Sequence, residues 1–178
     1  MKVVVINGVP RAGKDLFVSY CQEILGENFC KNISTVDKVK EVAKYIGWDG
    51  TKDNKSRKFL SDLKDLLTEA YDIPFQDACT EIRKFAITLR RYEEDIRERG
   101  VIFVHCREPK EIQRFKDEFK AETVLVRRDA AEEALVSNHA DSEVFQYEYD
   151  TWIENNGTRE ELRSAAETFL REVLKIID

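Results

Sequence analysis

Residues 1–15 read MKVVVINGVPRAGKD, and the rest of the chain is best understood outward from them. Val3 to Ile6 is a short β-branched run closed by a glycine, which predicts a buried strand. Helical spacing begins at Lys14, with Phe17, Tyr20, Cys21 and Ile24 on one stripe and Gly26 as the stop. Between them lies Gly8-Val9-Pro10-Arg11-Ala12-Gly13-Lys14-Asp15, of the form GxxxxGKD. Glycines at those places let backbone N–H groups turn inward around an anion, and the helix N-terminus adds positive potential. Lys14 is placed to reach the β- and γ-phosphates of a nucleotide, with Leu16 entering the helix behind it. The plain alternative is a glycine-rich turn with no ligand. Asp15 stands where a hydroxyl usually ligates Mg²⁺. Its carboxylate is also a hard oxygen ligand, and equally a favourable partner of the helix dipole.

The same two periods recur downstream. A weak strand is expected near Lys31 to Ile33. Ser34 with Asp37 resembles a capping box ahead of a stripe of Val36, Val39, Ala43 and Ile46. Phe59, Leu60, Leu63, Leu66, Leu67 and Ala70 mark a further helix. Pro74 opens a long one carrying Phe75, Ala78, Cys79, Ile82, Phe85, Ala86, Leu89 and Ile96, expected to end before Gly100. VIFVHC (Val101 to Cys106) and ETVLV (Glu122 to Val126) are buried strands, separated by a helix that Pro109 opens. Thr151 to Glu154 is a short strand. Thr158 with Glu161 is a capping box before the last helix. Strands alternating with helices imply an α/β fold with a parallel sheet covered on both faces. Ligands in such sheets sit beyond the carboxyl ends of the strands.

Composition narrows the function. The chain has 178 residues, a length suited to one domain. Lys and Arg number 29 against 35 Asp and Glu, a net charge of −6, which argues against a general nucleic-acid binder. No apolar run approaches a membrane span or a signal peptide, so a cytoplasmic protein is expected. The four cysteines are scattered without a CxxC pair and read as free buried thiols. The amphipathic stripes are accounted for by the core and leave the oligomeric state undefined.

With these residues in view, the chain resembles the P-loop nucleoside monophosphate kinases, and most of all the phage-type deoxynucleoside monophosphate kinases, which use GxxxxGKD. Animal-type phosphomevalonate kinases share that variant. VHCREPKEI resembles the family's strand and arginine-bearing turn, with Arg107 in the arginine's place. VLVRR leads into the region of a mobile lid (127–150), where SNHADSE matches loosely through His139, Ser142 and Glu143. DTWIENNGTREEL resembles the family's closing segment beside the nucleotide base. The match is weak between Gly26 and Gly100. The resemblance implies a P-loop NTPase-type three-layer α/β/α fold and an ATP- and Mg²⁺-dependent phosphotransferase acting on small nucleotide substrates. One departure stands out: His105 occupies the register where the family commonly has an Asp, and a neutral imidazole does not supply that charge. Either Asp15 or Glu108 compensates or the site is altered, and His105 reads equally as a strand histidine satisfied by its neighbours.

Phosphoryl transfer needs positioning and cations more than covalent help. Lys14, Arg107, Arg127 and Arg128 are the expected catalytic cations, and Arg11 is a further one within the loop. Gly8, Arg11, Ala12, Gly13, Lys14, Asp15 and Leu16 are expected to hold the nucleotide, with Asn155 and Gly157 against its base; the latter turn reads equally as an ordinary cap. The acceptor is expected within residues 34–90, with Lys40, Arg57 and Arg83 as candidates. Arg90, Arg91, Arg97 and Arg99 read as a solvated face. Tyr45, Trp48 and Tyr71 suit base stacking or rim packing. Two other readings remain open: a kinase for a non-nucleotide phosphate such as phosphomevalonate or dephospho-coenzyme A, and a nucleotide-binding module without catalysis.

Overall fold

The computed structural model describes residues 1–133 and 143–178. Five strands form one all-parallel sheet: β1 (Lys2–Asn7), β2 (Cys30–Ser34), β3 (Val101–His105), β4 (Glu122–Arg127) and β5 (Thr151–Glu154), in the order β2-β3-β1-β4-β5. Their β-branched centres are shielded on both sides, and Val4, Val5, Ile6, Ile102, Phe103, Val104 and Val124 have no exposure.

The order dictates the layers. From β1 the chain crosses through α1 (Lys14–Leu25) to β2 on one side. From β3 it crosses through α6 (Pro109–Phe119) to β4 on the other. Right-handed crossovers in opposite directions put the two helices on opposite faces. Accordingly α1 packs with α8 (Arg159–Thr168), while α6 packs on β1 and β4. The result is the three-layer α/β/α fold of P-loop NTPases. Phe17 of α1 meets Phe103 edge-on at 6.3 Å. It also meets Phe169, the first residue of a π-type turn after α8, at 5.6 Å.

Between β2 and β3 the chain inserts α2 (Asp37–Tyr45), α3 (Asn54–Tyr71), α4 (Ile73–Leu89) and α5 (Glu94–Glu98). Pro74 and Pro109 lie in the first turns of α4 and α6, as expected. The Thr158–Glu161 capping box is complete. The Ser34–Asp37 box is formed in reverse half: the Asp37 carboxylate accepts the Ser34 N–H at 2.7 Å, and Val36 holds the cap position of α2.

Two expectations are corrected. The long helix stops at Leu89, and Ile96 belongs to the separate α5. Tyr92 in the intervening turn packs against Phe29 at 4.8 Å. Gly100 lies so close to Leu89 that a Cβ there would stand 2.3 Å from Leu89 Cδ1, so the chain folds back tightly to enter β3. The stripe of α3 is also less buried than its pattern implies. Leu66 is 62% exposed, whereas Lys64 and Ser56 are the buried positions.

Beyond β4, α7 (Asp129–Glu133) begins the expected lid segment. Within the SNHADSE match, His139 and Ser142 lie outside the described residues, and Glu143 opens a 3₁₀ turn to Gln146. The stretch after it is pinned to the domain: Tyr149 donates to the Val144 carbonyl, and Asp150 accepts from Thr123 and Lys116. All four cysteines are buried and unpaired. Among the described residues no helix is long and apolar enough to cross a membrane.

Candidate functional site

β1 and β3 are neighbours, yet their outgoing connections leave for opposite faces. Such a divergence opens a crevice at the carboxyl ends of the two strands. The GxxxxGKD loop leaves β1 there, and His105 to Glu108 leave β3 there. A separate cleft lined by Met1, Lys2, Glu98, Arg99 and Leu174 opens at the opposite edge, where β1 begins.

The loop has the backbone its sequence predicts. Gly8, Arg11 and Gly13 have φ of 148°, 68° and 102°, while Ala12 has negative φ and Lys14 is helical. Left-handed backbone at Arg11 and Gly13, either side of Ala12, is the kind of conformation that lets loop N–H groups face a bound anion. The Ala12 N–H closes a turn on the Val9 carbonyl at 3.2 Å. The Lys14 ammonium folds back across the loop and donates to the carbonyls of Gly8 (2.5 Å) and Val9 (3.0 Å).

Packing makes both glycines obligatory. A Cβ on Gly8 would lie 2.4 Å from the Val126 carbonyl oxygen of β4, and one on Gly13 would lie 2.2 Å from Asn155 Nδ2. Asn155 in turn donates to the Ala12 carbonyl at 2.7 Å, so its side chain braces the loop from the β5–α8 turn. Gly157 leaves room for the Glu161 carboxylate that caps the Thr158 N–H.

Sequence reasoning passed over Asn7, the fully buried last residue of β1. Its Oδ1 accepts the Gly8 N–H at 2.8 Å, and its Nδ2 donates to Tyr149 Oη at 2.7 Å and to the Arg107 carbonyl at 3.2 Å. One amide therefore ties the first loop residue to the end of β3 and to the segment before β5. The available signal was a polar residue ending an apolar strand directly before the loop.

On the β3 side, His105 Nε2 stands 3.6 Å from Asp15 Oδ1. Nε2 is buried and has no hydrogen-bond partner among the described residues. Burial pushes the imidazole down to about 4 against the pull of Asp15, so it is neutral at pH 7; Lys14, Asp37 and Lys40 also act on it. Asp15, Lys14, His105, Asp37 and Lys40 thus converge on one crevice, with Lys40 3.5 Å from Asp37.

Glu108 is committed elsewhere. It lies 2.5 Å from Lys64 Nζ, which also contacts Glu111 at 3.1 Å. Burial works against the Lys64 charge, but the two carboxylates outweigh it and hold the ammonium protonated. Burial raises Glu111, while Lys64 keeps Glu108 ionised despite its own burial. Cys106 Sγ donates to Glu111 Oε2 at 3.4 Å. This group anchors α3 over the start of α6.

The arginines divide. Arg11 and Arg107 are exposed at the crevice-side ends of the loop and of β3. Arg127 at the end of β4 is forked onto Glu132 at 3.1 and 3.0 Å, and Arg128 beside it is exposed. Arg57 is exposed in the first turn of α3. Arg83 is not brought to the crevice: it pairs with Glu118 and lies over the Phe119 ring at 5.7 Å. Glu118 is in the last turn of α6, just before β4 begins, and so at the opposite edge of the sheet. Tyr45 and Tyr71 are 92% and 79% exposed, and Trp48 donates its indole N–H to the Thr51 carbonyl. Compared with family models and with the curated proteins, the chain matches none.

Proposed function

We propose that this chain transfers the γ-phosphoryl group of ATP to a nucleoside or deoxynucleoside monophosphate with Mg²⁺ as counter-ion. The observation that carries the reading is the loop: a glycine-flanked turn with positive φ at Gly8, Arg11 and Gly13 at the switch point of a parallel sheet, crossed by a lysine ammonium. That arrangement offers N–H groups, a helix N-terminus and one fixed cation to a polyphosphate.

The crevice offers a carboxylate to a divalent ion. The Asp15 carboxylate is 92% exposed in the first turn of α1, 3.6 Å from Nε2 of His105. When bound, the ion would offset charge on the β- and γ-phosphates. The chain's own share is positional. The Val9, Arg11, Gly13 and Lys14 amides would hold the triphosphate in line, since Pro10 has no N–H and the Gly8 and Ala12 amides are bonded to Asn7 Oδ1 and the Val9 carbonyl. Lys14 would exchange its two loop carbonyls for phosphate oxygens. Arg107 and Arg128, from two other strand ends, would supply cations to the transferring group. Lys40, on α2 beside the crevice, would meet the phosphate of the acceptor. The inserted helices α2 to α4 would form the acceptor's wall.

A coupled assay of ATP consumption against a panel of nucleoside and deoxynucleoside monophosphates tests this directly. Turnover with at least one of them, abolished by Lys14→Ala, is the expected result. ATP binding without transfer to any of the panel would contradict it. Turnover only with a non-nucleotide phosphate would move the acceptor to the other class.

A further inference from the structure

We infer that His105 and Asp15 together ligate one divalent ion, so that this crevice favours a first-row transition ion over Mg²⁺. The inference rests on the kinase reading for the ion's presence, and on this chain's own geometry for its ligands. His105 Nε2 and Asp15 Oδ1 are 3.6 Å apart and come from different elements, the end of β3 and the first turn of α1. One ion placed about 2.1 Å from each would subtend an angle of about 120° between them. Closing that to an octahedral right angle needs the atoms roughly 3.0 Å apart. The exposed Asp15 side chain can make such a shift.

The imidazole is held more firmly than the carboxylate. The His105 main chain pairs with Ile6 on one side and Ser34 on the other. Its carbonyl accepts the Thr35 N–H at 3.1 Å and the Thr35 hydroxyl at 3.4 Å. With the backbone locked, Nε2 faces Asp15 and has no hydrogen-bond partner among the described residues, a costly arrangement for a buried ring nitrogen unless something binds it. A nitrogen–oxygen pair of this kind suits Co²⁺, Ni²⁺ or Zn²⁺, and accepts Mn²⁺, better than it suits Mg²⁺, which prefers an all-oxygen shell.

The test uses the whole protein with Mn²⁺ and inorganic tripolyphosphate, a probe that brings no nitrogen of its own. Pulsed electron paramagnetic resonance should show modulation from a directly bound imidazole ¹⁴N. Growth on ¹⁵N-histidine should convert that pattern to the ¹⁵N one without any substitution. His105→Gln should remove it, and His139→Gln, at the only other histidine of the chain, should leave it intact. By calorimetry, Co²⁺ should bind the tripolyphosphate complex at least tenfold more tightly than Mg²⁺, with the preference lost in His105→Gln. Mn²⁺ bound with no imidazole signal would overturn the inference and leave the kinase reading standing. No binding of tripolyphosphate at all would overturn both.

Discussion

Replacing Lys64 with Met removes the ammonium of α3 that bridges Glu108 and Glu111 at the start of α6. The Lys64 side chain is 10% exposed and Glu111 9%, while Glu108 is 42% exposed. Breaking a buried ion pair by deleting one partner costs about 3–5 kcal/mol. Half-exposed Glu108 can rehydrate, and Glu111 can take up a proton, so the low end applies: about 3 kcal/mol. With a urea slope of about 2 kcal/mol per molar, the unfolding midpoint should fall by about 1.5 M. Trp48 and Trp152 provide the fluorescence signal for the titration. The deficit should depend on pH. In the variant the stranded carboxylates have raised folded pKa values, so the folded form gains protons as pH falls, and the gap to the wild type should narrow on acidification. Lys64→Met with Glu111→Leu should recover about 2 kcal/mol, because the pair is then replaced by apolar volume. A loss under about 1 kcal/mol, constant from pH 5 to 8, would mean that Lys64 merely lies along the surface and that the cluster does not hold α3 in place.

Three further outcomes follow from the same geometry. Gly8→Ala should leave the circular dichroism spectrum unchanged but weaken tripolyphosphate binding at least tenfold in calorimetry, because its Cβ would strike the Val126 carbonyl at a φ of 148°. Asn7→Ala should cost about 1–3 kcal/mol in urea unfolding, since it strands the buried Gly8 N–H and removes the bond to the Tyr149 hydroxyl. Asp72 links α3 and α4 at a φ of 54° and accepts two hydrogen bonds from Arg114, at 2.8 and 2.6 Å, which hold its carboxyl below the usual range. Asp72→Asn keeps the left-handed backbone and should cost about 1 kcal/mol at pH 7. A depressed folded pKa contributes stability above the unfolded value of about 3.9 and loses it as pH falls through the folded one, so the two proteins should converge in thermal unfolding below about pH 4.

What the sequence disclosed was local. The β-branched runs at Val3 to Ile6 and Val101 to Val104, the prolines at 74 and 109, and the Thr158–Glu161 pair each carry their own physical instruction, and each element forms where that instruction lies. The loop was legible for the same reason, since its glycines are demanded within a few residues of themselves. Ile96 was misassigned because it lies seven residues after Leu89 and so keeps helical register across a turn that only the packing of Tyr92 and Gly100 reveals. Lys64 was invisible because its partner Glu111 is 47 residues away, and periodicity names a face without naming what covers it. Arg83 illustrates the same gap: its place along α4 was known, but not that this end of α4 meets the far end of α6. For Asn7 the sequence shows only a polar residue ending an apolar strand; its partners are set by three segments that meet only in the folded sheet.

In the proposed function the loop from Gly8 to Lys14 cradles the phosphate tail of a nucleoside triphosphate. Isothermal titration of the purified protein with ATP and Mg²⁺ tests it most directly. Saturable one-to-one binding, weakened at least tenfold by Lys14→Ala while the fold is retained, is the expected result. No heat of binding to ATP, or equal affinity in the Lys14→Ala protein, would contradict it.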